Sequence, residues 1–143
     1  QYIKNYKARY PEIDEYMATT LAYAKEHGYV STIMGRQCPI TDLTSANVNQ
    51  RMASERVAIN APVQGSAADI IKLAMIDIDQ KLTKDFPHAN LLLQVHDELV
   101  LEVKDDEADD LLKMIIASME TAAELLVPLQ VEASIGKNWL EIH

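Results

Sequence analysis

Two apolar runs separated by three polar residues constrain the fold of this chain more than any other feature. The runs are Leu91–Val95 and Leu99–Val103, and His96-Asp97-Glu98 lies between them. Each run has the length of a β-strand, and so short a polar break is typical of a β-hairpin. Because both runs are strongly hydrophobic, we expect them to be central strands of a sheet rather than peripheral ones.

The remaining pattern predicts helices before the hairpin, and a helix and a strand after it. Pro62 should separate two of the helices, because proline lacks an N–H group and disfavours helical geometry in the preceding residue. In chain order the predicted elements are a helix over 11–27, a strand over 29–33 running into a loop, helices over 46–59 and 63–82, the hairpin, a helix over 105–126 and a strand over 129–135.

These elements predict an α+β fold, in which an antiparallel sheet with packed helices follows a mostly helical region. The best boundary between the two parts lies near Asn60-Ala61-Pro62, which divides the chain into residues 1–60 and 61–143.

A length of 143 residues with 48% hydrophobic content is enough for a real core. With no apolar stretch of membrane-spanning length and no signal peptide, we expect a soluble, cytoplasmic protein. The single Cys38 excludes an internal disulfide.

The net charge of −9 is unevenly distributed. Residues 1–96 hold ten acidic and ten basic side chains, whereas residues 97–143 hold twelve acidic and three basic ones, so the whole excess lies in the last third. Phosphate binding favours a basic surface, and charge alone therefore argues against a nucleic-acid partner. A surface facing DNA would have to lie on the balanced part of the chain.

The acidic break in the hairpin has two interpretations. Asp is common in tight turns because it accepts local backbone hydrogen bonds, so Asp97 and Glu98 can be ordinary turn residues. Adjacent carboxylates on a rigid hairpin also suit Mg²⁺, which prefers oxygen ligands and usually takes one or two carboxylates from a protein. Spacing alone leaves both interpretations open.

A second polar pattern lies in residues 55–75. Arg56, Asn60 and Gln64 are four residues apart and can line one side of a helix, either as a solvated face or as donors to phosphate and minor-groove acceptors. The small residues of Gly65-Ser66-Ala67-Ala68 allow a close approach to the helix, by a ligand or by another packed element.

Together these segments resemble the A-family DNA polymerases, the family of bacterial DNA polymerase I. Residues 55–75 resemble the stretch that leaves the fingers and enters the palm, and residues 92–100 resemble the palm motif that carries catalytic acids. Similarity also runs through Gly28–Thr32 with Gly35-Arg36, and through Gly136–Trp139. It covers essentially the whole chain and implies the C-terminal palm with part of the fingers: residues 1–60 as fingers and 61–143 as palm.

The resemblance implies a role for each matching residue. Asp97 and Glu98 would be catalytic and metal-binding acids of a two-Mg²⁺ site that joins a dNTP to a primer 3′-hydroxyl. The partners would be primer–template DNA and dNTPs. DNA contacts are implied for Gln94, His96, Arg36, Arg56, Asn60 and Gln64.

The chain also departs from the family pattern. Gln37 and Cys38 replace basic residues and Pro39 comes early, so no DNA contact beyond Arg36 is expected in that loop. The chain begins after the family's first metal-ligand Asp and after the nucleotide-binding helix, and we therefore expect it to be inactive alone. Apolar edges without neighbouring segments would favour self-association.

Two rival functions follow from the same residues. The chain could be a non-catalytic module that binds duplex DNA through Arg56, Asn60 and Gln64. It could also be a structural domain in which His96-Asp97-Glu98 is only a turn.

Overall fold

The chain forms five α-helices and four short strands in the computed structural model, which describes residues 2–142. The predicted α+β class is confirmed. The elements are α1 (Tyr2–Arg9), α2 (Pro11–His27), β1 (Tyr29–Ser31), β2 (Gln37–Pro39), α3 (Val48–Asp85), β3 (Asn90–Val95), β4 (Glu98–Glu102), a 3₁₀ turn (Asp105–Glu107), α4 (Ala108–Glu120) and α5 (Trp139–Ile142). None of the described helices is both long and apolar enough to pass through a lipid bilayer.

The strands form two separate antiparallel pairs. In the first, β1 pairs with β2 so that Val30 lies opposite Cys38. In the second, β3 pairs with β4, with Val95 opposite Glu98 and a shift in register between Leu91 and Leu93. The predicted hairpin is confirmed, and β2 is a strand where the sequence indicated only a loop.

The residues compact into two units, Gln1–Asp69 and Ile70–His143, and the division falls inside α3. The first unit has its own core around Ala24, Val30 and Ala58. Its helix α2 begins at Pro11, as predicted, because proline suits the first helical turn. The same helix ends at Gly28, whose φ of 78° is readily adopted only by glycine.

The second unit is built where α3 and α4 pack with the β3–β4 hairpin. The side chains of its core are Ile78, Leu82, Ala89, Leu111 and Ile115, with Leu91, Leu99 and Leu101 of the hairpin packed against them. A polar contact joins the two helices, since the Lys81 ammonium donates to both the Asp77 carboxylate and the buried Ser118 hydroxyl. The hydrogen bond from Lys81, followed by that from Ser118, lowers the pKa of Asp77.

The predicted helix break at Pro62 is wrong, because α3 continues through it without interruption. An internal proline costs about 3 kcal/mol through its missing N–H and its steric clash. Packing on both sides offsets this cost: Ala58 is fully buried in the first core and Ile78 in the second. Tertiary packing therefore outweighs the local preference.

Two predictions for the last third are also wrong. The helix predicted to reach residue 126 ends at Glu120, and residues 121–138 contain no helix or strand. Leu126 is fully exposed, so no apolar contact stabilises further helical turns. The strand predicted over 129–135 is absent because β3 and β4 pair only with each other among the described residues, which leaves that segment without a partner.

Candidate active site and nucleic-acid interface

The tip of the β3–β4 hairpin presents the four polar residues that the sequence singled out there. His96 and Asp97 form the turn, and Glu98 opens β4. His96 has a φ of 54°, a left-handed conformation that is uncommon outside glycine and that a tight turn requires. The side-chain amide of Gln94 donates to the His96 carbonyl oxygen and braces this turn. All four side chains are exposed, so the tip is open to a ligand.

The hairpin is less buried than its sequence predicted. Leu92 and Leu93 of β3 are 55% and 46% exposed, because within residues 2–142 this sheet has only two strands and one covered face. The expected central position of the strands is therefore not found in the described part of the chain. The carboxylates at the tip do not require a metal ion to offset burial.

The donor set at the tip fits Mg²⁺ in chemistry but does not complete a site. Asp97 and Glu98 supply adjacent carboxylate oxygens, the ligand type that Mg²⁺ prefers. Across residues 2–142 no three His, Cys, Asp or Glu side chains lie close enough to hold an ion together. These two acids could hold a metal only with ligands from another source, such as substrate phosphates, water or a further carboxylate.

A groove on α3 brings the second set of predicted residues together. Arg56, Asn60 and Gln64 line it on successive turns, and its volume is about 350 Å³. All three side chains are exposed. The spacing of four residues survives across Pro62 because the helix is unbroken. All of the lining residues belong to α3, so the groove is a shallow, open strip of the helix surface. Between the donors lie small or apolar residues that the sequence did not indicate, namely Ala53, Val57 and Ala61.

Arg36 lies in the turn between β1 and β2, and its half-exposed side chain binds α3. Its Nε donates to Asp69 Oδ1 at 2.8 Å, and its Nη2 donates to the Gly65 carbonyl oxygen at 3.1 Å. The hydrogen bond to Asp69 raises the pKa of Arg36, so the guanidinium stays charged. The direct DNA contact implied for Arg36 stays a prediction.

The small residues after Gln64 are explained by packing. A Cβ at Gly65 would lie 2.8 Å from Thr32 Cγ2 and 3.2 Å from Arg36 Nη2, so the β1–β2 turn approaches the helix there. The Ser66 hydroxyl accepts a hydrogen bond from the Ile33 N–H at 2.9 Å. Of the two interpretations of this segment, close packing by another element holds for Gly65 and Ser66. The run of small residues was the only sequence signal for this contact.

Comparison with known proteins assigns the chain to a family. The family model described as DNA polymerase family A matches residues 1–141. DNA polymerase I of Pseudomonas aeruginosa is 49% identical over 142 residues, covering 99% of this chain and 16% of that protein. DNA polymerase I of Lactococcus lactis subsp. cremoris is 46% identical over 140 residues, covering 98% of this chain and 16% of that protein.

A solved structure agrees with these relatives. It is the POL domain of Pol1 from M. smegmatis in complex with DNA primer–template and dNTP, and it superposes with a TM-score of 0.84 at 43% identity. The match covers 90% of this chain and 23% of that one. In fold the chain thus resembles part of a DNA polymerase domain, and it belongs to DNA polymerase family A. It spans about one sixth of the length of the curated relatives.

Proposed function

We propose that this chain is the part of a DNA polymerase that holds the primer–template duplex and supplies one half of the metal-binding carboxylates. The complete enzyme would extend a primer 3′-hydroxyl with dNTPs, for DNA replication and repair. The observation that carries the proposal is the groove on α3, where Arg56, Asn60 and Gln64 line one face of a helix in a family-A chain.

The side chains of the groove can bind a DNA duplex of any base sequence. The amides of Asn60 and Gln64 can donate to purine N3 and pyrimidine O2, the acceptors that every base pair presents in the minor groove. Arg56 can donate to phosphate oxygens as a charged partner. Small and apolar residues between these donors let a duplex edge approach closely. Such a surface would test the shape of a base pair rather than its identity.

The hairpin tip would lie at the 3′ end of the primer, where the reaction takes place. Asp97 and Glu98 would hold Mg²⁺, and His96 and Gln94 would lie against the primer terminus. When bound, two such ions stabilise the attacking and leaving oxygens of nucleotidyl transfer. Because no third ligand lies near this pair in residues 2–142, the proposal includes a further carboxylate from another polymerase segment. We therefore propose that the 143 residues alone do not extend a primer.

Residues 1–60 are proposed as the end of the fingers and 61–143 as the end of the palm. The division between compact units lies further along, after Asp69, so the subdomain boundary would fall within one helix. A cytoplasmic location is part of the same proposal.

Duplex binding by the chain tests the proposal. At low salt we expect a primer–template duplex to bind this chain, and Asn60→Ala with Gln64→Ala to weaken binding about ten- to a hundredfold, since each lost hydrogen bond costs about 1 kcal/mol. Fluorescence anisotropy with a labelled duplex measures this.

The matched control is Asn49→Ala with Gln80→Ala, which removes two exposed amides from α3 outside the groove. Affinity should be retained in this control. Absence of wild-type binding at low salt, or equal losses in both double variants, contradicts the proposal. The rival module without catalysis would show the same binding, but Asp97 would then be irrelevant to synthesis in the complete enzyme.

Self-association is a further part of the proposal. Leu92, Leu93 and Leu126 leave apolar surface uncovered within this chain. We expect sedimentation velocity in concentrated solution to show species larger than the monomer. A single monomeric species over the whole concentration range would refute this expectation.

A further inference from the structure

The contact between the β1–β2 turn and α3 lies one residue from the groove. Gln64 lines the groove, and the next residue, Gly65, receives the turn. Arg36 donates to the carbonyl oxygen of Gly65 and, one helical turn further on, to the carboxylate of Asp69. A single guanidinium thus spans the helical turn that begins directly after Gln64. We call the contact of Arg36, Gly65 and Asp69 the joint.

Two of the side chains that hold Arg36 are largely buried. The Asp69 side chain is only 13% exposed, so its carboxylate oxygen is held in a fixed position for Arg36 Nε. Thr32 is 5% exposed, and its hydroxyl accepts from the Arg36 backbone N–H at 3.1 Å, which fixes the start of the Arg36 side chain. The backbone N–H, Nε and Nη2 of Arg36 are thus all hydrogen-bonded within the protein, while about half of the side chain stays exposed.

We infer that Arg36 is a positioning residue, which fixes the helical turn carrying Gln64 for the duplex minor groove and does not itself neutralise a phosphate. This inference rests on the proposed function of the groove. If the guanidinium were removed, the Gly65 carbonyl would lose its side-chain donor and the Asp69 carboxylate its cationic partner. The turn would then rearrange, and Gln64 would no longer be held for a base-pair edge.

A phosphate contact and a positioning role differ in salt dependence. A side chain that neutralises one phosphate adds about 0.9 to the slope of log K against log salt concentration, because a condensed counterion is released. A positioning residue leaves this slope unchanged. The two roles also differ in how the effects of two substitutions combine. If Arg36 acts through Gln64, the losses of duplex affinity from replacing each residue do not add.

The experiment measures duplex affinity over a salt series for Arg36→Ala, Asp69→Asn and Gln64→Ala, and for Arg36→Ala combined with Gln64→Ala. We expect Arg36→Ala and Asp69→Asn each to weaken binding with unchanged slope and by no more than Gln64→Ala does, which is about fivefold, since the hydrogen bond of Gln64 to the duplex is what they disturb. In the Gln64→Ala background, Arg36→Ala should have little further effect. Arg36→Lys should not rescue, because one ammonium cannot reproduce the two-point geometry of the guanidinium.

A matched control removes the same charges elsewhere in the first unit. Lys7 and Asp14 form an exposed ion pair, with 2.6 Å between Nζ and Oδ1. Lys7→Ala and Asp14→Asn should leave the duplex affinity unchanged, and the effect of Gln64→Ala should be the same with or without them. A slope reduced by about one in Arg36→Ala, unaltered affinity in Asp69→Asn, or full additivity with Gln64→Ala overturns the inference.

A measurement without DNA separates this inference from the proposed function. The side-chain amide resonances of Gln64, assigned by NMR, should shift in both Arg36→Ala and Asp69→Asn, while those of Asn49 should not. Unshifted Gln64 resonances overturn the inference even where the wild type binds duplex. Absence of wild-type duplex binding sinks the proposed function instead, and the resonances still report on the joint. Circular dichroism confirms that each variant is folded.

Discussion

Replacing Asp97 with alanine is expected to abolish Mg²⁺-dependent primer extension by a complete polymerase that carries this segment. In the proposed site Asp97 would supply a carboxylate oxygen to a Mg²⁺ ion, and such an ion stabilises the transition state by several kcal/mol. A loss of that size corresponds to a rate decrease on the order of a thousandfold or more. The measurement is single-turnover extension by DNA polymerase I of Pseudomonas aeruginosa, in which these residues replace the matching segment that is 49% identical.

Two comparisons make the result specific. Asp97→Asn keeps the size of the side chain and removes its charge, so it should be nearly as defective if the acid binds metal. Asp109→Ala removes another exposed acid of the same unit, at the start of α4, and should retain the parental rate. Unchanged extension by Asp97→Asn would support the rival in which His96-Asp97-Glu98 is only a turn, and would refute the proposed role.

Replacing Gly65 with alanine is expected to destabilise the chain by about 1–3 kcal/mol, the usual cost of adding volume to a well-packed site. This loss of stability is opposite in sign to the usual effect, because Gly→Ala within a helix normally stabilises a protein by about 0.5–1 kcal/mol. Here the new Cβ would lie 2.8 Å from the Cγ2 of the buried Thr32, a stiff β-branched side chain that cannot move aside freely. Urea unfolding of the chain measures the change, and Gly65→Val should cost more.

The rescue variant identifies the cause. Thr32→Ser deletes the methyl group that the new Cβ would meet and keeps the hydroxyl that accepts from Arg36. Combined with Gly65→Ala it should recover most of the lost free energy of unfolding. Ala67→Gly, at an exposed neighbouring position, should lose about 0.5–1 kcal/mol by helix propensity alone. A Gly65→Ala variant more stable than the wild type would contradict the close approach of the turn.

Local sequence signals predicted the elements that short-range chemistry controls. The helix over 11–27 was bounded correctly because Pro11 and Gly28 act on their own dihedral angles. The β3–β4 hairpin was predictable because two strand-length apolar runs leave room only for a tight turn. The polar residues at its tip and along α3 were therefore found without knowledge of their neighbours.

Long-range packing decided what those signals could not. Pro62 indicates a break when its neighbours are read alone, but buried residues on either side keep α3 continuous. The same continuity places Gln64 on the groove with Arg56 and Asn60. Conversely, residues 129–135 alternate like a strand and form none, because a strand exists only with a partner for its backbone groups.

By itself the sequence determined the acidic hairpin tip, the i, i+4 series of polar donors and, through their resemblance to a known pattern, the polymerase family. Only the tertiary structure decided that those donors share one groove and that Arg36 is bound to the helix behind it. The physical reason is the distance along the chain over which each interaction acts. Turn chemistry and helical spacing act over a few residues, whereas the contact from Arg36 to Asp69 joins side chains 33 positions apart.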